Sequence, residues 1–500
     1  MLKLPMIFSD HMVLQRGKPI AIWGWADAGA TVHICLSEGD CIMSDAESCA
    51  IDTGAWRVAL PPQDVARGLT LTVSDGSETI SLTDVLIGEV WIAGGQSNME
   101  YWLHFDAEKQ VALNRPENPD IRFFDYPEIS FEGELERYDY SDFGFWRHCN
   151  PKQLPWFSAI GYYFAERLQA ALGVPVGIVG CNWGGTNAAC WMDESDLRGG
   201  PGEVWLSEHE QRLAAMDQDD YNQWYLADYS HIPNHPIPGD WEGVLYPGLT
   251  REEQLRWMEI PKSHYDGVIG PLHPCRPCAL YHLMLEKAAP YTAKGVIWYQ
   301  GESDSPHADI YDVVLSSMIR AWRRLWCEEL PFLVVQLAPF EAWLGESGET
   351  YPTLRACQQR VAERVPGVYL CSSGDAGMPW DIHPKHKRPI GERLALLARG
   401  HVYGEDILCD APVLKAVHRE GSRVILSFEH GDGLVIRGDL LNALRVNGQV
   451  CPAKVEGECL VIDLPMAKHW KIEFAWQGYY EVNLYNAAGI PALPFRLLMD

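Results

Sequence analysis

The sequence predicts an α/β protein, a parallel sheet with helices on both faces, flanked at each end by a β-sandwich-like domain. Three observations carry this. Period-two strand patterns fill the chain to about residue 84 and return after about residue 405. Between them apolar strands alternate with helical segments, the rhythm of a parallel sheet covered on both faces. Several of the central strands run into glycine or polar blocks, as at Gly94-Gly95, Asn182 and Gly301. The expected domains are 1–84, 85–404 and 405–500, with an insertion at about 195–270.

Taken in order, Val32–Leu36 and Leu69–Val73 alternate apolar and polar residues, with Asp52-Thr-Gly54 and Ser74-Asp-Gly76 as turns. The apolar run Val85–Ala93 reads as a buried strand ending in Gly94-Gly95. Helical spacing follows over Ser158–Leu172, with Gly173 as its stop, then a strand at Val176–Cys181. The pattern repeats as helix Leu280–Ala289 and strand Gly295–Tyr299, then helix Ile310–Trp326 and strand Phe332–Gln336. Helix Thr353–Val365, strand Val368–Cys371 and helix Lys385–Val402 complete it. The insertion is rich in Trp, Tyr, Asp, Pro and His with no clean strand, and reads equally as a cover over the site or as decoration. Beyond residue 405, Arg423–Phe428, Leu460–Leu464, Lys471–Phe474 and Tyr480–Leu484 are expected strands, and Asn447-Gly448 a hairpin turn.

Composition bounds the function. Hydrophobic residues make up 47% of the 500 and charged residues 22%, the mix of a folded soluble chain. The formal net charge of −28 argues against nucleic acid or an anionic membrane as partner, since both need a basic surface. No apolar run is long enough to span a bilayer. Met1–Pro5 leads into mixed sequence without the apolar stretch of a secretory leader. The expectation is a cytoplasmic protein, or a periplasmic or secreted one whose leader was removed. The 14 cysteines are scattered and read as reduced, buried thiols. The tight pair Cys275–Cys278 lacks the second pair that a zinc site needs.

Four segments carry chemistry, each in a loop or at a strand end, where sites in such sheets lie. In Gly94-Gly-Gln-Ser97-Asn-Met-Glu100 two glycines let the chain turn and present a hydroxyl at the mouth of the sheet, although this segment taken alone reads first as a Gly turn with Ser97 as a helix cap. In Trp380-Asp381-Ile-His383-Pro384 an aspartate precedes a histidine that can take a serine proton, with His386 close by. Trp298-Tyr-Gln300-Gly-Glu302-Ser303-Asp304 offers an amide donor, a carboxylate and a rival nucleophile. Cys181-Asn-Trp183-Gly184-Gly185-Thr186 offers backbone N–H groups for an oxyanion.

Together with Phe8–Arg16 and Trp23-Gly24, these blocks resemble the sialate O-acetylesterase family within the SGNH hydrolases, over nearly the whole chain. The resemblance implies an SGNH-like sheet and a serine carboxylester hydrolase that removes O-acetyl groups from a carbohydrate through an acyl-enzyme, 9-O-acetylated sialic acid first. It implies Ser97 as nucleophile, His383 as base and Asp381 as its orienter. The oxyanion hole would be built from Ser97, Gly184, Gly185 and Gln300, and Gln96, Asn98 and Trp183 would meet substrate. No metal or cofactor is implied. The chain departs from the wider pattern where Gly301-Glu302-Ser303 stands in place of an Asn-bearing block, where Asp381 is two rather than three residues before the histidine, and where His282 replaces an Asn. Glu302 or a backbone carbonyl is the alternative orienter of His383. The alternative functions are an acetylxylan or other polysaccharide acetylesterase, an esterase acting on non-sugar esters, and a non-catalytic glycan-binding protein. Trp102, Trp183 and the Trp-rich insertion can stack on sugar rings, as core packing can also explain.

Overall fold

Strand β1, Thr79–Gly95, organises the molecule. Its first half pairs antiparallel with Ala66–Ser74 of the N-terminal sheet, and its second half runs on as a central strand of the parallel sheet. The predicted strand therefore begins earlier than its apolar run. The apolar pattern marks only the half buried on both faces, whereas Thr79–Asp84 is buried on one. The structure, a computed structural model, describes residues 1–227, 242–259, 264–265, 267–464 and 469–499.

The remaining central strands are β2 (Asn118–Asp125), β3 (Trp146–Cys149), β4 (Val176–Asn182), β5 (Gly295–Tyr299), β6 (Phe332–Val335) and β7 (Val368–Cys371), in the order β7-β6-β5-β1-β4-β2-β3. All neighbours are parallel except β2 and β3. The β2–β3 edge was not visible in the sequence, because polar residues interrupt both strands. Among the described residues this sheet is covered by helices α1 (Ala159–Leu172), α2 (Tyr311–Trp326), α3 (Tyr351–Arg364) and α4 (Arg388–Leu397). Ser158 caps α1 by accepting the Gly161 N–H at 3.0 Å, and Gly173 ends it in the left-handed region. Helix α4 starts later than its apolar pattern because Asp381–Lys387 is drawn into a loop.

One continuous core joins the N-terminal strands to the α/β layers, and a second core lies under the C-terminal strands. Trp91, Trp146, Trp191, Trp298 and Trp322 are fully buried, so packing explains much of the tryptophan content. The C-terminal part holds the expected strands at Arg423–Glu429, Cys459–Asp463 and Trp470–Phe474, and adds Val413–Glu420. The strand expected at Tyr480–Leu484 is reduced to Leu484–Tyr485, because Asn483 spends its side chain on the carbonyls of Arg437 and Leu440. Asn447 and Gly448 turn a hairpin with φ of 50° and 83°. Arg355, fully buried, ties α3 to the C-terminal part by donating to the carbonyls of Leu337, Ala338, Gln477 and Gly478.

Of the insertion, Glu203–Ala215, Gln218–Ala227 and Arg251–Met258 are helices, and 228–241, 260–263 and 266 lie outside the described residues. Its described part is fastened to the loop that carries His383. Gln254 Nε2 donates to the Trp380 carbonyl at 2.5 Å, and Lys385 Nζ donates to the Leu245 carbonyl.

Candidate active site

Register brings three of the four blocks together. Asn182 of β4 and Tyr299 of β5 both lie opposite Gly95 of β1, so the residues after each strand emerge side by side at the carboxyl edge. Gly95 is obligatory. Its φ is 141°, and a Cβ there would sit 2.1 Å from the Tyr299 carbonyl oxygen. Directly after it Ser97 opens a single helical turn, Ser97–Glu100. Gln96 rather than Ser97 is the cap, and it makes no side-chain capping bond.

The fourth block arrives from 286 residues away. Ser97 Oγ and His383 Nε2 lie 3.0 Å apart, and Ser97 stays partly exposed while His383 is buried. The imidazole packs against Tyr101, stacked at 6.1 Å and 26°, and against Trp343, edge-on at 5.1 Å and 89°. Asp381 accepts the backbone N–H of His383 at 2.8 Å and pairs with Lys385 Nζ at 2.7 Å. Its Oδ1 is 3.5 Å from His383 Nδ1, an electrostatic pair longer than a hydrogen bond. Of the expected orienters, Asp381 is thus the one beside the ring, while Glu302 is engaged with Asn98. Burial alone would raise the Asp381 carboxyl, but the His383 and Lys385 interactions outweigh it and hold it below the usual range.

Burial lowers the pKa of His383, Asp381 partly restores it, and the charges on Lys387 and Lys385 lower it further. A lowered imidazole stays neutral, able to accept a proton, to a pH below its ordinary 6.5. The acid limb of kcat/KM is therefore expected to have its inflection below pH 6.5, with activity rising as pH rises through it. A pH–rate profile checks this, and an inflection at pH 7 or above contradicts it. The same sign governs stability. The unfolded state binds this proton more tightly, so the His383 contribution is complete above pH 6.5 and is lost as pH falls through the lower, folded value.

Other expected site residues are placed differently. Gln300 is fully buried and committed, its Nε2 donating to Asp304 Oδ2 at 2.5 Å and its Oε1 accepting from the Tyr311 hydroxyl at 3.0 Å. It is turned into the scaffold, away from the place expected of an oxyanion donor. Gln96, also buried, accepts with Oε1 from the N–H groups of Gly301 and Ser303 at 3.3 and 3.2 Å, clamping β1 to the third block rather than facing substrate. Asn98 is 1% exposed and equally internal. Trp183 remains half-buried beside the turn, and its N–H bonds the Gly95 carbonyl at 3.1 Å. Gly184 lies against the nucleophile, where a Cβ would be 3.2 Å from Ser97 Cβ, but its N–H donates to Glu100 Oε2 at 2.6 Å. The N–H groups of Ser97 and Gly185 donate to no atom of the described residues. Ser303 meets no imidazole among the described residues, and His386 is exposed and pairs with Glu108 at 3.8 Å. His282 bridges Glu194 and Glu286.

Sequence reasoning missed Glu100, Trp343, Lys385 and Lys387. Glu100 is three residues after Ser97 on the same helical turn, a spacing that could have exposed it. Burial, with the Asp125 charge adding to it against the Gly184 N–H, pushes its carboxyl up to about 7. Lys385 stands four residues after Asp381, the spacing of a helical ion pair. Trp343, on a two-residue hairpin strand, gave no signal. The 14 cysteines form no disulfide, but the expectation of buried thiols holds for nine of them, since Cys41, Cys49 and Cys327 are exposed and Cys35 and Cys459 half-buried; burial pushes the Cys275 thiol up to about 12, an inert state.

The family model described as carbohydrate esterase, sialic acid-specific acetylesterase matches residues 274–397, which include His383 and the third block but not Ser97. The sialate O-acetylesterase of Rattus norvegicus is 26% identical over 97% of this chain and 92% of its own length. That of Homo sapiens is 27% identical over 79% of this chain and 70% of its own. The crystal structure of a carbohydrate acetylesterase from Xanthomonas citri superposes with a TM-score of 0.76 at 28% identity, covering 99% of both chains. By these likenesses in sequence and fold, the chain is a carboxylic ester hydrolase related to the sialate O-acetylesterases.

Proposed function

We propose that the chain is a serine esterase that releases acetate from an O-acetylated sugar, with 9-O-acetylated sialic acid as its preferred donor. The 3.0 Å contact between Ser97 Oγ and His383 Nε2 at the carboxyl edge of the sheet is the observation that supports it. His383 takes the serine proton as Oγ attacks the acetyl carbonyl, and then gives it to the departing sugar hydroxyl. Water, activated by the same imidazole, attacks the acetyl-enzyme and frees acetate. The oxyanion is assigned to the N–H groups of Ser97 and Gly185, and Gly184 joins them only when Glu100 releases it. The Asp381 carboxylate stabilises the imidazolium across 3.5 Å, a contact that tightens as charge develops on the ring. Trp183, and Trp102 with its neighbour Trp156 at 5.5 Å, supply aromatic faces for a sugar ring.

The test is acetate release by the wild-type protein from 9-O-acetylated sialic acid, acetylated xylooligosaccharide and a simple alkyl acetate. Fastest release from the sialic acid supports the proposal. Preference for the xylan fragment replaces sialic acid by a polysaccharide as substrate. Release from the alkyl ester alone removes the sugar. No release from any of the three leaves the glycan-binding reading.

A further inference from the structure

We propose that the groove between the C-terminal sheet and the start of α3 is a second carbohydrate site, built for a sugar that carries a carboxylate. The cavity holds about 440 Å³. Arg445 and Arg496 lie on the two strands that flank Trp470–Phe474, each opposite Glu473, so the three side chains form one row across the sheet. Lys471, two residues before Glu473, stands on the same face, while Ile472 and Phe474 point into the core behind it. All four polar side chains line the groove, together with Trp476 and, on the opposite wall, Glu349.

The charges in this row do not cancel. Lys471 Nζ and Arg496 Nε share a single oxygen, Glu473 Oε1, at 2.8 and 3.4 Å. Arg445 has no carboxylate partner among the described residues. Its Nε is buried without a hydrogen-bond partner, and one terminal nitrogen reaches the Gly448 carbonyl at 3.4 Å. Three cations therefore face Glu473 and the exposed Glu349, in a chain whose net charge is −28. A guanidinium with unspent donors at the edge of an open groove matches a carboxylate, which accepts two parallel N–H bonds from it. Trp476, half-buried in the lining, gives an apolar face on which a pyranose ring packs. An inorganic anion would use the cations and leave the indole unused, and a neutral glycan would do the reverse. An acidic sugar uses both. The site is distinct from the catalytic one, since none of its lining residues belongs to the four blocks. The choice of a sugar as ligand rests on the proposed esterase function, whereas the anion-binding character does not.

Calorimetric titration tests this with ligands that carry no ester, namely 3′-sialyllactose, a glucuronic acid-bearing xylooligosaccharide and neutral xylotetraose. At least one acidic ligand is expected to bind, more weakly as salt is raised, and xylotetraose is not. Which acidic sugar binds more tightly identifies the source of the carboxylate. Arg445→Gln and Trp476→Ala should each weaken binding about tenfold or more, while turnover of p-nitrophenyl acetate stays within about twofold of wild type. Should Arg445→Gln fail to fold, Arg445→Lys, which keeps the charge without the fork, is expected to weaken binding several-fold. Absence of binding by wild type, equal binding of the neutral sugar, or affinity unchanged in the folded variants would overturn the proposal. In the last case the sugar sits at the catalytic site. A protein that binds acidic sugar here yet releases no acetate from sugars would retain the groove and lose the esterase function. An active esterase with a silent groove would do the opposite.

Discussion

Ser97→Ala is expected to lower kcat for acetate release by about 10⁴-fold or more, leaving KM within a few-fold of wild type. The residue is partly exposed, and its Oγ has one partner among the described residues, His383 Nε2 at 3.0 Å. Removing it therefore leaves the fold and its melting temperature nearly unchanged. His383→Ala should cost a similar factor, because a serine hydroxyl without a base is a poor nucleophile. The double variant should be no worse than either single one, since the two act as a unit. The measurement is acetate release under saturating substrate, with the melting temperature followed in parallel. Release that survives Ser97→Ala would remove it as nucleophile and move attention to Ser303, whose N–H already bonds Gln96.

The second large effect is expected at Asn98, which is buried beside the nucleophile. Its Nδ2 donates to Glu302 Oε1 at 2.6 Å and to the carbonyl of Ile382 at 3.0 Å, and its Oδ1 accepts from Lys387 Nζ. One amide thus fastens the turn that carries Ser97 to the residue before His383. It also supplies a hydrogen-bond acceptor to a fully buried ammonium and a donor to a buried carboxylate. Burial, with Lys385 adding to it, drives Lys387 down to about 7, and burial raises Glu302. Asn98→Leu leaves both groups buried with no amide between them, a loss of about 1–3 kcal/mol for each group left without its partner. A nucleophile and base displaced by about 1 Å lose about 10²-fold in kcat. Thermal unfolding and the separate values of kcat and KM check this together. A folded Asn98→Leu protein with kcat within threefold of wild type would show that the tie is not needed. Lys387→Met separates charge from tethering. Removing a nearby cation should raise the His383 pKa and move the acid limb of the pH profile upward.

How much of this was legible in the sequence differs between residues. The alternation of β4, α2, β6 and β7 with their neighbours was readable because apolar period and glycine stops are local properties. So was the nucleophile turn, since a glycine pair at a strand end permits the sharp turn that presents Ser97. Strands β2 and β3 were not readable, because their polar interruptions match no strand pattern. The roles of Gln96, Asn98 and Gln300 were not readable either. Each stands in a block that resembles an active site, and each proves to be internal wiring, because an amide beside a catalytic residue can face outward or inward with the same local sequence.

The sequence alone determined the layered α/β plan with β segments at both ends, the four chemistry-bearing blocks, and the family they resemble. Tertiary structure decided which of those residues meet. It set His383 against Ser97 across 286 positions, packed Trp343 and Tyr101 against its ring, and spent the Gln300 amide on Asp304. It gave the Gly184 N–H to Glu100 and buried Lys387 behind Asn98. The reason is physical. Periodicity encodes which face of an element is apolar, but the partner that satisfies a buried polar group comes from distant chain, and only the packed fold selects it.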